Sequence, residues 1–255
     1  MRSYMLCLAA ISLAGAVVAT GQERGAGAVP APAPRRDLSG VWLGPAVPLL
    51  EPTAPMTPRG KALFDAAKPI WGPRAVPVAE SNDPLVTCDP LGFPRAVLHE
   101  SRGMEFVQSP DKVVQLLQYQ RAFREIWTDG RSLPVDVGGS SPQSPDPRWY
   151  GYSIGRWVND DTFVVDTTGA TETSWGDEYG QPHGLGARIE ERYRRVDSNT
   201  LEMTVTIDDP EMYQKPFIAL KQMLIRGKQL EEQLCIPSVA QHYLEVVGKP
   251  ASRAP

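Results

Sequence analysis

Turn signals in the second half of this chain are set so close together that only short antiparallel strands fit between them. Pro110-Asp111, Asp129-Gly130-Arg131, Asn159-Asp160-Asp161, Asp197-Ser198-Asn199 and Arg226-Gly227-Lys228 punctuate segments rich in β-branched and aromatic residues. The segments so delimited are 104–109, 112–119, 122–128, 152–158, 162–168, 187–196, 200–208, 217–225 and 229–235. No helical pattern alternates with them, which argues against a parallel α/β sheet. With an opening strand near Trp42 the spacing predicts an all-β fold of about ten strands. An antiparallel meander of that length closes into a barrel or divides into a two-layer sandwich.

The remaining organisation follows from composition. The N-terminus carries Arg2, an apolar run over 5–18 and the small-residue site Val17-Val18-Ala19, with Ala14-Gly15-Ala16 as an alternative. This is the pattern of a cleaved export signal, here 1–19, and it predicts a periplasmic or secreted protein. Cys7 lies too early in the apolar run to be a lipidated cysteine. Residues 20–36 form a Pro/Ala-rich linker. Residues 37–102 form a proline-punctuated arm with the first strand and one short helix that starts with Thr57 as cap and Pro58 at its first position. The β domain spans 103–240 as one unit with the arm, and 241–255 is a tail. Loss of the signal leaves two cysteines, Cys88 and Cys235, which an oxidising compartment would join as a disulfide. A net charge of −4 without a basic block excludes an electrostatic nucleic-acid footprint. Outside the N-terminus no apolar run is long enough to span a membrane.

Alternation assigns faces. Leu201, Met203, Val205 and Ile207 share one side of their strand, which is the core side; Glu202, Thr204, Thr206 and Asp208 share the other. On the neighbouring strand the solvated set is Arg188, Glu190, Arg192 and Arg194. This turns Glu191 and Arg195 inward beside Ile189 and Tyr193. A buried carboxylate or guanidinium needs a partner, so the pair is either a structural salt bridge or the lining of a polar cavity. Gly151-Tyr152-Ser153-Ile154-Gly155 fits the G-x-S-x-G nucleophile elbow, with Asp166 and His183 following in hydrolase order. The elbow requires a strand before it and a helix after it, whereas Arg156-Trp157-Val158 continues as a strand into a turn. His183 sits in a Gly/Pro-framed loop between two hairpins and is the candidate acid or base. Asp166 or Glu191 would orient it, and Trp157, Trp175, Tyr193 and Arg195 would line a ligand pocket. His99 and His242 have no partner at ligand spacing, so neither a metal nor a cofactor is called for.

The ordered motifs DLSGVW (37–42), CDPLGFPR (88–95), DGR (129–131), SIGRW (153–157), VVDTTG (164–169), QPHG (181–184), ERYRR (191–195) and TIDDP (206–210) are spread along the chain beyond the signal. In that combination the sequence resembles a group of exported bacterial proteins of unknown function. That group usually has a serine after the histidine, where this chain has Gly184. Gly40-Val41-Trp42 on an opening strand is also similar to the G-x-W of lipocalins and other calycins, whose tryptophan plugs one end of the barrel. These features lead to three expectations. The first is an exported barrel that binds a small molecule among Trp157, Tyr193, Glu191 and Arg195. The second is a hydrolase, lyase or isomerase using His183. The third is an envelope structural protein whose inward ion pair is only glue.

Overall fold

A computed structural model describes residues 32–45, 50–98 and 103–246. The signal segment and the linker up to residue 31 lie outside the described residues, as does His99.

Nine strands close into a barrel: β1 (Gly40–Leu43), β2 (Met104–Gln108), β3 (Lys112–Leu117), β4 (Phe123–Trp127), β5 (Tyr152–Trp157), β6 (Thr162–Thr168), β7 (Arg188–Arg195), β8 (Thr200–Asp208) and β9 (Phe217–Arg226). Each is hydrogen-bonded to the next, and β9 returns to β1 through Trp42↔Arg226 and Leu43↔Ile225. The hairpin turns after β2, β5 and β7 fall where the sequence puts them, whereas Arg226-Gly227-Lys228 closes no hairpin. The structure differs from the sequence expectation in three respects. The sheet is a closed barrel, which removes the two-layer alternative. Residues 229–235 form no strand, because β1 occupies the edge of β9 that they would need; Gln233 makes only an isolated parallel bridge to Tyr119. And β4 pairs with β5 in parallel, so the sheet is mixed. That last difference follows from the long 128–151 connection. It leaves β4 at one end of the barrel and crosses the outside to enter β5 at the other.

The arm packs against the barrel core. Its helix α1 (Pro58–Ala66) begins as expected, with Thr57 Oγ1 accepting from the Gly60 N–H at 3.1 Å. Two further helices were not anticipated: α2 (Arg95–Leu98) and α3 (Pro237–Val246), the latter running across the boundary placed at 240. Phe93, Val97 and Leu98 of the arm are buried in the main core with Ile189, Leu201, Met203 and Val205. The Cys88–Cys235 disulfide ties the arm to the segment after β9 across 147 residues. Closing so long a loop stabilises the fold by about 4–5 kcal/mol by restricting the unfolded chain.

The two ends of the barrel differ. One carries the short turns after β2, β5 and β7. There Trp42 is fully buried, donates from Nε1 to the Leu38 carbonyl at 2.9 Å, and lies under the guanidinium groups of Arg195 (4.8 Å) and Arg226 (5.1 Å). Trp42 of the G-x-W triplet is thus a core residue of this end. The other end carries the arm and the long loops after β6 and β8. Between the ends, Gly155 of the SIGRW motif faces inward, and a Cβ there would sit 2.3 Å from Phe163 Cζ and 2.7 Å from Ile126 Cγ2. Only glycine fits. Among the described residues no helix is long and apolar enough to cross a membrane.

Candidate functional site

Three regions concentrate polar chemistry, and the sequence candidates are distributed among them rather than gathered in one.

The first is a network inside the barrel. Glu191 does turn inward, as the alternation requires, but its partner is Arg124 of β4 and not Arg195. Nη2 of Arg124 donates to Glu191 Oε1 at 2.7 Å and also to Oε2. Arg124 Nε donates to Gln115 Oε1 at 2.6 Å, and Nη1 reaches Ser153 Oγ (3.3 Å) and Thr167 Oγ1 (3.2 Å). The Tyr193 hydroxyl donates to Glu191 at 2.5 Å and accepts from Gln115 Nε2 at 3.2 Å. Burial and the neighbouring carboxylate push the Tyr193 phenol far above its ordinary range, so it stays a donor. Phe93 from the arm covers the Arg124 guanidinium at 4.1 Å. Every member has partners, which is the condition under which a buried ion pair is tolerated. Arg195 lies four residues further along β7, at the Trp42 end. It donates to the carbonyls of Asp37 (2.6 Å), Asp197 and Ser198 (3.3 Å each). Trp157 packs on Phe163 at 5.2 Å. The expected cavity among Trp157, Tyr193, Glu191 and Arg195 is thus not formed by those four groups, because each is committed elsewhere. Ser153, on strand β5, bonds to Thr167 Oγ1 at 2.9 Å and to Arg124 rather than to a histidine, and the elbow reading falls with that.

The second region surrounds His183 beneath the arm. The loop after β6 folds under, so the imidazole is buried and not at an open rim. Its Nε2 is 3.1 Å from Ser174 Oγ, and that hydroxyl lies 3.1 Å from the Thr171 carbonyl. Since the carbonyl can only accept, the hydroxyl donates to it and accepts from Nε2–H. The network thereby assigns the tautomer and leaves Nδ1 as a bare acceptor. Nδ1 has no hydrogen-bond partner among the described residues. Burial holds the imidazole down at about 4, with backbone groups of Gly184 and Ser174 pulling the other way. Gly92 of the arm presses on Ser174: its φ is +70°, and a Cβ there would lie 2.4 Å from Ser174 Oγ.

Neither Asp166 nor Glu191 orients the imidazole. Asp166 is on the outer face of β6, paired with Arg156. Two carboxyls line the cavity that holds His183, the exposed Glu51 and the buried Asp177. Burial pushes Asp177 up to about 6, against the N–H groups of Gln181 and Tyr179, from which its Oδ1 accepts. That cavity, about 30 Å³, is otherwise mostly apolar, with Leu50, Leu98, Ile207 and Phe217 in its walls. It has room for about two water molecules. Trp175 lies nearby over Arg95 (5.5 Å), a buried guanidinium held bidentate by Asp83 at 2.7 Å through Nη1 and Nη2, with Nε unpartnered.

The third region is a groove of about 470 Å³ on the outside of the barrel. β4 and β5 share only two register pairs, Ile126↔Ser153 and Trp127↔Ile154. Towards the start of both strands they splay, and the 128–151 crossing forms a wall over the gap. Phe123, Trp127, Trp149, Tyr150 and Tyr152 supply aromatic surface; Arg131 and Arg148 stand on the wall, and Arg124 and Ser153 show at the floor. The floor of the groove is therefore also the edge of the interior network.

No protein-family model matches this chain, and a comparison with curated proteins found no match. The chemistry of the three regions carries the functional argument by itself. Among the described residues no three His, Cys, Asp or Glu side chains are grouped to hold a metal ion. Alternation along Phe123–Trp127 would have put Arg124 on the core face with Ile126. Asp177, Ser174 and Arg148 lie in loops with no periodicity to mark them.

Proposed function

We propose that this is an exported β-barrel protein that binds a small organic molecule in the groove where β4 and β5 separate. The observation that carries the reading is the groove's lining: five aromatic side chains with a few convergent polar groups, the usual walls of a small-molecule site, whereas two other surface grooves of about 420 and 470 Å³ have no aromatic wall. The interior is less suited to a ligand, since the groups expected to line a cavity there bond one another. Export rests on the N-terminal signal pattern and on the resemblance to an exported group. Native mass spectrometry of protein purified from its host tests the binding reading. A retained small molecule that is lost on Trp149→Ala supports it; a bare chain that also fails to bind any compound in a screen overturns it.

A second reading, acid–base catalysis at His183, is favoured by one observation: Asp177 and an imidazole with an unpartnered Nδ1 line the same cavity. Neutral His183 would accept a proton at Nδ1 while Ser174 holds its other nitrogen. Turnover that survives His183→Asn would remove this reading.

A further inference from the structure

We propose that the groove ligand is a small organic acid, a carboxylate or phosphate ester on a planar apolar body, and that Arg148 is its anchor. This rests on the binding reading above and names the class of ligand.

Some groups of the groove are already committed to partners and others are still available. Trp127 and Tyr152 resemble stacking platforms for a neutral sugar, but each already carries a guanidinium on a face. Arg131 lies 3.6 Å from the Trp127 ring centroid and Arg148 lies 4.2 Å from that of Tyr152. The platforms are occupied by cations, and what they present to the groove is positive charge and N–H donors. Acidic groups are accounted for. Glu125 is bonded to Lys112 at 2.5 Å, Asp129 to Arg131 at 2.6 Å, and Glu191 to Arg124. Arg148 differs from the other two arginines. Among the described residues it makes no salt bridge, although the protein as a whole is acidic.

Its backbone is nevertheless fixed. Arg148 N–H donates to the Gly169 carbonyl at 3.1 Å, and its carbonyl accepts from Gly151 (3.1 Å) and Thr171 (2.9 Å). A pinned backbone, a stacked head and an uncommitted fork of donors make a preorganised anion anchor. Tyr150 adds a neutral donor, since burial pushes its phenol up to about 12. Trp149 and Phe123 are left to cover an apolar ring. An anion at Arg148 would lie against Tyr152 and Tyr150, and the ring would extend towards Phe123.

Naphthalene-2-carboxylate, its neutral alcohol naphthalene-2-methanol, inorganic phosphate and cellobiose serve as probes in calorimetric titrations of the mature protein. The acid is expected to bind at least ten-fold more tightly than the alcohol. Its affinity should fall about ten- to a hundred-fold on Arg148→Met, recover in part on Arg148→Lys, and weaken as salt is raised. Thermal melts of each variant separate loss of the anchor from loss of fold. If the alcohol or cellobiose binds as well as the acid and Arg148→Met changes nothing, the organic-acid assignment is wrong while the groove remains a binding site. If none of the four binds and the host-purified protein carries no ligand, the binding reading itself fails.

Discussion

The barrel holds two buried polar clusters that look alike by composition and differ in completeness. Around Arg124 the guanidinium, the Glu191 carboxylate, the Gln115 amide, the Tyr193 phenol and two hydroxyls bond one another. Around His183 the accounting stops short: Nδ1 and, nearby, Arg95 Nε have no partner among the described residues, and Asp177 is held towards its neutral form. Leaving a buried polar atom unbonded costs about 1–3 kcal/mol. A cluster that bears such a cost beside a cavity is the one to which a ligand or water can add something. A closed network has nothing left to offer. Glu191, which the sequence would pair with Arg195, is instead closed off by Arg124, and the polar groups left open are at the histidine and in the seam groove.

That contrast can be broken most forcefully at Glu191. Glu191→Ala strands the Arg124 charge in the interior and is expected to cost about 3–5 kcal/mol in urea unfolding. The pair replaced together, Arg124→Met with Glu191→Leu, should recover more than half of the loss. A double variant as unstable as the single would show that the network does more than satisfy itself.

Next in size is an opposed pair of pH effects in the second cluster. His183 sits at about 4 in the fold against about 6.5 when unfolded, so only the unfolded chain binds that proton in between. Stability from this group is present above 6.5 and is lost as pH falls towards 4. Asp177 sits at about 6 against about 3.8 unfolded; here the fold binds the proton, and stability is present below 3.8 and lost as pH rises towards 6. Each effect is worth about 3 kcal/mol, and in the intact protein they largely cancel. Denaturant unfolding from pH 4 to 6.5 should therefore show stability rising with pH in Asp177→Asn relative to the parent, and falling in His183→Asn. Parallel profiles for all three proteins would refute the assigned environments.

Ser174→Ala removes the acceptor at Nε2 and should cost about 1–2 kcal/mol, seen as a lowered urea midpoint. An unchanged midpoint would mean that the serine does not hold the imidazole. Smallest of all, Arg148→Met should change unfolding stability by less than about 0.5 kcal/mol, since the side chain is exposed and unpaired. A large loss would turn the groove anchor into another piece of structure.

Much of the architecture was readable because strand period and turn chemistry are local. The strands β6, Thr162–Thr168, and β8, Thr200–Asp208, coincide with the segments read from the chain, and Thr57 caps its helix as expected. Cys88 and Cys235 are joined as export would have them. The failures share a cause. Residues 229–235 have strand-like composition, but whether a strand forms depends on which edge is free, and β1 had taken it. Alternation turned Glu191 inward correctly, yet alternation says only which side a residue faces. It cannot say that Arg124, 67 positions earlier, would arrive opposite while Arg195, four positions later, would serve the far end.

The sequence by itself determined nine of the ten strands it marked, the turns between β2 and β3, β5 and β6, and β7 and β8, the inward faces and the disulfide, because each follows from the periodicity of a few neighbouring residues or from a count of two. Only the tertiary structure decided closure of the barrel, the parallel β4–β5 pair, the seam groove it opens, and the partners of every buried charge. Those depend on long-range docking: the 128–151 crossing had to be laid along the outside before β4 and β5 could splay, and the arm had to cover one end before His183 could be enclosed.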